Sequence, residues 1–214
     1  MEVLLAAAGG TFAALLPITN PIGGAAVFST LTGSDDAAAR RRQARLTSIY
    51  VLGILAVSLL AGRPILEFFG IDVGVLKVAG GLVVAHTAWG MVVNTGGRIT
   101  PEEHDEGVTK ADVSFSPMAM PLIAGPGAIG IVIGIATISD SWEHTTGALV
   151  GVVAIAVVAW LCLIVGDTVL DRLGATGLGA LTRILGFLIL AIAVQLVVDG
   201  IYTILDKPVP GPFS

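Results

Sequence analysis

Long runs of apolar residues, separated by short polar segments, dominate this sequence. The run at 150–165 contains no charged residue and lacks the alternation of apolar and polar positions expected of a transmembrane β-strand. About 20 consecutive apolar residues in a helix cross the hydrocarbon core of a bilayer. Stretches of this kind lie at 3–31, 47–66, 73–93, 114–138, 145–166 and 184–205. The pattern predicts an all-α integral membrane protein with six transmembrane helices, and it argues against a β-barrel.

The composition supports a lipid environment. Hydrophobic residues make up 55% of the 214 residues and charged residues only 13%, and the mean hydropathy is +0.92. One water-soluble core of this size cannot bury so much apolar surface. Met1-Glu2 supplies no basic segment before the first apolar run, so we interpret that run as mature chain and not as a secretory signal. The net charge of −5, with no long basic run, predicts no nucleic-acid partner.

Charges in the loops predict the orientation of the chain. Three segments are expected: a first group of three helices at 1–93, a polar loop at 94–113, and a second group of three helices at 114–214. The loops on one side carry eight basic residues against three on the other. These eight are Arg40, Arg41, Arg42, Arg45, Arg98, Lys110, Arg172 and Arg183. The positive-inside rule assigns that side to the cytoplasm and both termini to the outside.

An internal repeat links the two groups of helices. The segment Leu66–Gly70 aligns with Leu170–Gly174 at an offset of 104 residues, and Lys77–Gly80 aligns with Arg183–Gly186 at an offset of 106. Each half holds three spans, an odd number, so the second half must enter the membrane from the opposite side. The sequence therefore predicts two inverted three-helix repeats, an architecture found in many secondary transporters.

Both halves interrupt their first helix with proline and glycine. The first span contains Thr-Asn-Pro-Ile-Gly-Gly at 19–24, and the fourth contains Pro-Leu-Ile-Ala-Gly-Pro-Gly at 121–127. Such a break leaves backbone polar groups unpaired, which lipid does not tolerate unless other protein groups or a watery cavity satisfy them. Asn20 before Pro21 has the order of a helix N-cap and first helical residue, and Gly125 before Pro126 is its counterpart. Paired breaks of this kind indicate a transporter binding site, whereas simple kinks for close helix packing are the alternative.

The predicted site suits a small zwitterion. Two helix N-termini that meet at the midplane can receive an anionic group, and the carbonyl ends of the preceding half-helices can receive a cationic group. Gln195 lies one turn before Asp199 near the end of the sixth span, and we add it as a candidate for the substrate path. The predicted substrate-binding residues are Thr19, Asn20, Pro21, Gly23, Gly24, Pro121, Ala124, Gly125, Pro126, Gly127 and Gln195.

No catalytic, metal-binding or cofactor-binding pattern is expected. The sequence offers no Ser/His/Asp triad, paired-aspartate or His-Glu-x-x-His arrangement, and no acid lies at the centre of a span. Cys162 is the single cysteine, which excludes an internal disulfide. His86 lies near the middle of the third span, where a hydrogen-bonded histidine and a proton-coupling group are both compatible with the sequence.

The motifs resemble a known family. NPIGGAAVFSTLTG and SPMAMPLIAGPGAIGIVI, with RILG at 183–186 and QLVVDG at 195–200, are similar to the MarC family of bacterial and archaeal membrane proteins. The resemblance spans almost the whole chain. It implies six helices in two inverted halves, a location in the prokaryotic inner membrane, and transport of small neutral amino acids such as glycine and alanine. His86, Thr87 and Trp89 depart from the largely aliphatic third span of the family.

The expected function is therefore secondary transport of small neutral amino acids by alternating access, and not an enzymatic reaction. A channel, an exporter of another small metabolite and a non-transporting membrane subunit are alternatives that the two breaks also permit. The expected partners are the small-molecule substrate and membrane lipid, and a homo-oligomer is compatible with the sequence.

The predicted orientation is tested by reporter fusions. Fusions within 40–45 and beside His104 should report a cytoplasmic location, and a fusion after Ser214 an external one, because the basic loops stay inside. A cytoplasmic C-terminus would contradict both the orientation and the six-span count.

Overall fold

The chain folds into helices that account for nearly all of the part described. The computed structural model describes residues 1–93, 112–137 and 141–205, with the backbone alone at 167–176 and 178. The helices are α1 (Glu2–Thr19), α2 (Pro21–Leu31), α3 (Ala37–Phe69), α4 (Val73–Val93), α5 (Ser114–Ile123), α6 (Pro126–Ala136) and α7 (Trp142–Leu205). α5 is irregular, since its backbone is extended at Ser116 and Met120. No strand occurs within the described ranges, so the prediction of an all-α membrane protein is confirmed. Of the polar loop predicted at 94–113, only Asp112 and Val113 are described, and 206–214 also lies outside the described residues.

The number of membrane spans agrees with the prediction in part. Among the described residues, five helices are long and apolar enough to cross a bilayer: α1, α3, α4 and the two parts of α7 at Trp142–Gly166 and Gly179–Leu205. The bent pair α5–α6 makes a sixth if it counts as one span. The stretch predicted at 3–31 is two helices, α1 and α2, which meet at Asn20.

Two helices extend further than the apolar pattern predicts. α3 begins at Ala37 and not near 47, because the Asp36 carboxylate accepts a hydrogen bond from the Ala39 amide at 2.7 Å and caps the helix before the arginines at 40–42. Helical backbone also continues beyond the predicted fifth span, and α7 runs from Trp142 to Leu205. Its two apolar parts, Trp142–Gly166 and Gly179–Leu205, are each long and apolar enough to be a separate span, as predicted.

The outer surface of the helices is apolar. Large hydrophobic side chains such as Val57, Leu60, Phe68 and Phe187 are all more than half exposed. A soluble protein rarely exposes so much contiguous apolar surface. This surface therefore faces lipid, as the composition predicts.

Glycines allow the helices to pack closely in two directions. Gly147 lies against Leu4 and Ala7, and Gly151 lies against Ala8 and Thr11 further along, so the first part of α7 runs parallel to α1. On the other face of the molecule, the packed helices run in opposite directions. Gly200 lies against Gly74 near the start of α4, whereas Gly186 lies against Met91 near its end, so the last part of α7 runs antiparallel to α4. Small residues at such contacts permit the backbone approach on which helix association in lipid depends.

The two broken segments lie at the centre of the helix bundle. Leu15, Phe28, Met118 and Ile123, which flank the breaks, are fully buried, together with Leu55 of α3. α3 packs on both α5 and α6, and Gly62 of α3 lies directly against the Ile133 side chain of α6. Unbroken helices therefore surround the two interrupted ones.

The close contact between α1 and α7 generates a stability prediction. In Gly151→Ala, the new methyl would lie 2.7 Å from the Ala8 carbonyl oxygen and 2.8 Å from Thr11 Cβ, so the backbones must separate. Overpacking of this kind costs about 1–3 kcal/mol. We expect a lower melting temperature for the purified variant in detergent.

Gly53→Ala is the matched control, because nothing lies within 4 Å of a Cβ at this helical glycine. It should be neutral or stabilising, by up to about 1 kcal/mol from helix propensity. Equal melting temperatures for the two variants would contradict the close α1–α7 contact.

Candidate functional site

The first break is organised by a single residue, Asn20. It ends α1 in the left-handed conformation, with φ 39° and ψ 67°, and its amide donates to the Leu16 carbonyl at 3.2 Å. Its side-chain Oδ1 accepts from the Gly23 amide at 3.0 Å, and its own carbonyl accepts from the Gly24 amide at 3.0 Å. The predicted order, Asn20 as N-cap and Pro21 as the first residue of α2, is confirmed.

The neighbours of Asn20 explain the composition of the motif. A Cβ at Gly23 would lie 2.6 Å from Asn20 Nδ2, so a larger residue there would displace the capping amide. Thr19 is fully buried, and its hydroxyl donates to the Leu15 carbonyl at 3.0 Å. Both polar side chains of the motif, Thr19 and Asn20, therefore make hydrogen bonds to backbone groups beside the break.

The second break has a different geometry. α5 and α6 are bent by 61° relative to each other. Ala124 ends α5, and its amide donates to the Ala119 carbonyl at 2.8 Å across the wider π-helical turn. Gly125 is extended, with φ −73° and ψ 178°, and Pro126 begins α6, as predicted from the sequence.

The start of α6 lacks the cap that α2 has. Gly125 occupies the N-cap position and has no side chain to accept a hydrogen bond. The first intrahelical bond of α6 joins the Ile129 amide to the Gly125 carbonyl at 3.1 Å, so the amides of Gly127 and Ala128 precede the helical ladder. This helix end presents two backbone donors and the positive end of a helix dipole.

A cavity of about 250 Å³ opens beside this uncapped helix start. Its walls come from the second break, from α4, from the end of α1 and from the last part of α7. The lining residues are Ile18, Val83, Val84, Thr87, Met91, Pro121, Leu122, Ile123, Gly125, Pro126, Gly127, Ala128 and Ile189. None of them is charged, and Thr87 is the one polar side chain among them.

The two breaks contact each other next to the cavity. A Cβ at Gly24 would lie 3.4 Å from Ile123 Cγ1, which places the first turn of α2 against the end of α5. A Cβ at Gly127 would lie 3.6 Å from Ile18 Cγ2 and would overlap Val84 of α4. The cavity thus lies where both interrupted helices meet the third span.

The predicted site residues divide into three groups by position. Pro121, Gly125, Pro126 and Gly127 line the cavity. The first-break residues Thr19, Asn20, Pro21, Gly23 and Gly24, with Ala124 of the second break, lie next to the cavity residues but do not line it.

Gln195 lies elsewhere. Its side chain is exposed on α7, and Nε2 donates to Asp199 Oδ1 at 2.7 Å, as the same-face prediction requires. It does not line the cavity.

Sequence reasoning missed the contribution of α4 to the cavity. Val84, Thr87 and Met91 follow the helical spacing of one face, and Met91 Sδ lies 4.0 Å from Asn20 Nδ2. Thr87 is one of the departures from an aliphatic third span that bear on the polarity of the pocket. Its hydroxyl donates to the Val83 carbonyl at 3.1 Å, which leaves the oxygen able to accept a further hydrogen bond.

Polar contacts hold the segment just before α5 in place. Gln43 of α3 is buried, and its Oε1 accepts from the Val113 amide at 2.9 Å while Nε2 donates to Asp35 at 2.6 Å. One side chain thus ties the segment after α2 to the segment before α5.

The Asp112 carboxylate completes this junction. Burial raises the pKa of Asp112, but hydrogen bonds from Ser114 and the nearby charge of Arg42 outweigh that effect and lower the pKa from its usual value. A folded-state pKa below the unfolded value means that the ionised group stabilises the junction at neutral pH, and that this contribution is lost as the pH falls through the folded pKa.

The groups around the cavity are suited to binding a solute. Among the described residues, no group of three or more His, Cys, Asp or Glu side chains could hold a metal ion. The cavity supplies backbone amides, carbonyl oxygens and one hydroxyl within apolar walls. Such a site can orient a small polar solute by backbone contacts.

Comparison with known proteins covers nearly the whole chain. The pattern of the MarC family integral membrane proteins matches residues 5–205. A protein of Salmonella typhimurium described as inner membrane protein MarC is 32% identical, over 96% of this chain and 98% of its own length. The Escherichia coli O139:H28 protein of the same description is 33% identical, over 94% of this chain and 97% of its own.

A membrane protein of Buchnera aphidicola is 32% identical over 90% of both chains. No solved structure matches the chain. The family match and these sequence identities show that the chain belongs to the MarC family of integral membrane proteins.

Proposed function

We propose that this protein is a secondary transporter of small neutral amino acids, such as glycine and alanine, and that the zwitterion binds in the cavity between the two broken helices. The observation that carries the proposal is the uncapped start of α6 at an uncharged cavity, where the Gly127 and Ala128 amides have no side-chain cap. The transported solute would supply the missing acceptor.

The α6 end of the cavity suits a carboxylate. Backbone N–H groups at a helix N-terminus bind anions through hydrogen bonds and through the helix dipole. Pro126 fixes the first turn and has no N–H of its own, so the donors are those of Gly127 and Ala128. Gly127 has no side chain between its amide and the cavity, and this bare approach favours a compact anionic group.

An ammonium group needs acceptors, and the cavity has them without a carboxylate. The Ile123 carbonyl group at the end of α5 and the Thr87 hydroxyl oxygen belong to lining residues. A zwitterion adds no net charge to the protein interior, which fits a lining without charged residues.

Size would select among amino acids. The cavity measures about 250 Å³, and the branched side chain of Val84 forms its wall beside Gly127. Ile18 and Ile189 close other sides of the cavity with bulky apolar groups. A substrate with a small or absent side chain is therefore favoured.

Alternating access would use the inverted repeat predicted from the sequence. In an inverted repeat of three plus three spans, the first and fifth spans point the same way, and the third and sixth point opposite ways. The parallel packing of α1 with the first part of α7, and the antiparallel packing of α4 with its last part, support six spans of alternating direction, which this repeat requires. The breaks at 20 and 124–125 fall in the matching first spans of the two halves.

Glycine uptake into proteoliposomes tests the site directly. The wild type should take up labelled glycine saturably and exchange it for unlabelled glycine, whereas a channel would not saturate. Gly127→Val should abolish uptake and the thermal stabilisation of the protein by glycine, because the side chain would occupy the space beside the amide donors and Val84.

Gly134→Val is the matched control in the same helix, where the nearest atom to a Cβ is Lys77 Cε at 4.0 Å. It should keep uptake and stabilisation close to wild type. A monodisperse Gly127→Val protein that still binds and transports glycine would show that the substrate site lies elsewhere.

The Asn20 cap should affect stability in a graded way. Asn20→Ala loses the bond to the Gly23 amide and places a β-carbon in the left-handed region, so it should unfold more easily, by about 0.5–2 kcal/mol for the cap alone. Its transport should fall as well, since Asn20 touches the cavity wall at Met91.

Asn20→Gly separates the two effects, because glycine accepts the left-handed conformation. Its melting temperature should lie between those of the wild type and Asn20→Ala. If all three proteins melt and transport alike, the cap does not hold the break.

A further inference from the structure

The seam between α3 and the first part of α7 differs from the rest of the lipid-facing surface. Two depressions lie along it, one near the start of α3 and one deeper in the apolar part. The helices run antiparallel here, since Arg41 is near Leu163 and Leu52 is near Val153. Neither depression belongs to the central cavity.

The first depression, of about 180 Å³, combines two arginines with apolar walls. It is lined by Phe28, Ala37, Arg40, Arg41, Ala44, Leu163 and Ile164. Arg40 is held in place by a hydrogen bond from its Nε to Thr32 Oγ1 at 3.1 Å. Arg41 is exposed, and it makes no ion pair or hydrogen bond within the described part of the chain.

The second depression, of about 310 Å³, continues from a basic residue into hydrocarbon. It is lined by Arg45, Ser48, Ile49, Leu52, Val153, Ala156, Val157 and Trp160. Arg45 lies one helical turn after Arg41 on α3, so the two side chains are neighbours on the helix surface. Beyond Arg45 and Ser48, every lining side chain is apolar.

Among the residues whose side chains the structure describes, no acid lines either depression beside Arg41 or Arg45. Asp35 accepts from the Gln43 side chain at 2.6 Å, and Asp36 caps the Ala39 amide. Asp112 pairs with Arg42, which lines neither depression. The seam therefore presents positive charge at its surface end and an apolar groove at its inner end.

We propose that this seam is a binding site for an acidic phospholipid of the surrounding membrane. The lipid phosphate lies between Arg41 and Arg45. One acyl chain runs inward past Ile49 and Val157 towards Leu52 and Val153. Basic pockets between transmembrane helices suit anionic headgroups, and the guanidinium fork matches phosphate oxygens. A bound lipid joins α3 to α7 at a point where side chains leave space.

The test uses the full-length protein, purified in a neutral detergent and depleted of lipid. Palmitoyl-oleoyl phosphatidylglycerol should raise the melting temperature saturably, whereas phosphatidylcholine with the same chains should raise it much less. The double variant Arg41→Gln/Arg45→Gln should lose most of the phosphatidylglycerol shift while it melts like the wild type in phosphatidylcholine. Arg63→Gln, at the other end of α3, is the matched control and should keep the shift.

Two further measurements identify the ligand. Soluble glycerol 3-phosphate should give no shift, because it lacks the acyl chain, and an equal shift would overturn the lipid assignment in favour of a free phosphate site. Val157→Trp should reduce the phosphatidylglycerol shift by filling the apolar groove without a change of charge. Equal responses to both phospholipids, or a full shift in the double arginine variant, would overturn the proposal.

Discussion

In hydrocarbon, a backbone N–H or C=O group without a partner costs several kcal/mol, so a helix can be interrupted there only where its freed groups find other partners. This constraint governs the centre of the molecule. At the first break the protein meets it with its own side chain, since Asn20 caps α2 through the Gly23 amide. At the second break the N-cap is Gly125, which can supply no such acceptor. At both breaks a proline begins the next helix, but among the described residues only the first of these helices has a side-chain cap.

The difference between the breaks connects fold and function. The Asn20 cap fixes the geometry of the first break, and the Asn20 side chain also contacts Met91 in the cavity wall. An uncapped helix start beside a cavity is a place where a solute can complete the hydrogen bonding. The surrounding helices keep the two breaks together through glycine contacts, such as Gly62 with Ile133 and Gly24 with Ile123. Under the proposed function, the substrate carboxylate takes the role at α6 that the Asn20 amide oxygen takes at α2.

The sequence predicts local events well and long-range packing poorly. Asn20-Pro21 and Gly125-Pro126 signal helix starts through backbone chemistry, and the structure has both starts at those residues. The pairing of α4 with the second break could not be predicted, because lipid-facing and buried positions are both apolar and periodicity cannot separate them. For the same reason, Val84 and Met91 were missed as cavity residues, and Gln195 was selected although it lies away from the cavity.

The most direct measurement is the amide chemical shift of the residues at the start of α6 in protein labelled with ¹⁵N glycine and alanine, followed as unlabelled glycine is added. Gly127 and Ala128 should shift saturably, because a carboxylate hydrogen-bonds to their amides. Gly130, one turn later and inside the helical ladder, should respond much less. Saturable shifts confined to residues remote from both breaks, or no shift at Gly127 and Ala128 while glycine is transported, would contradict the account.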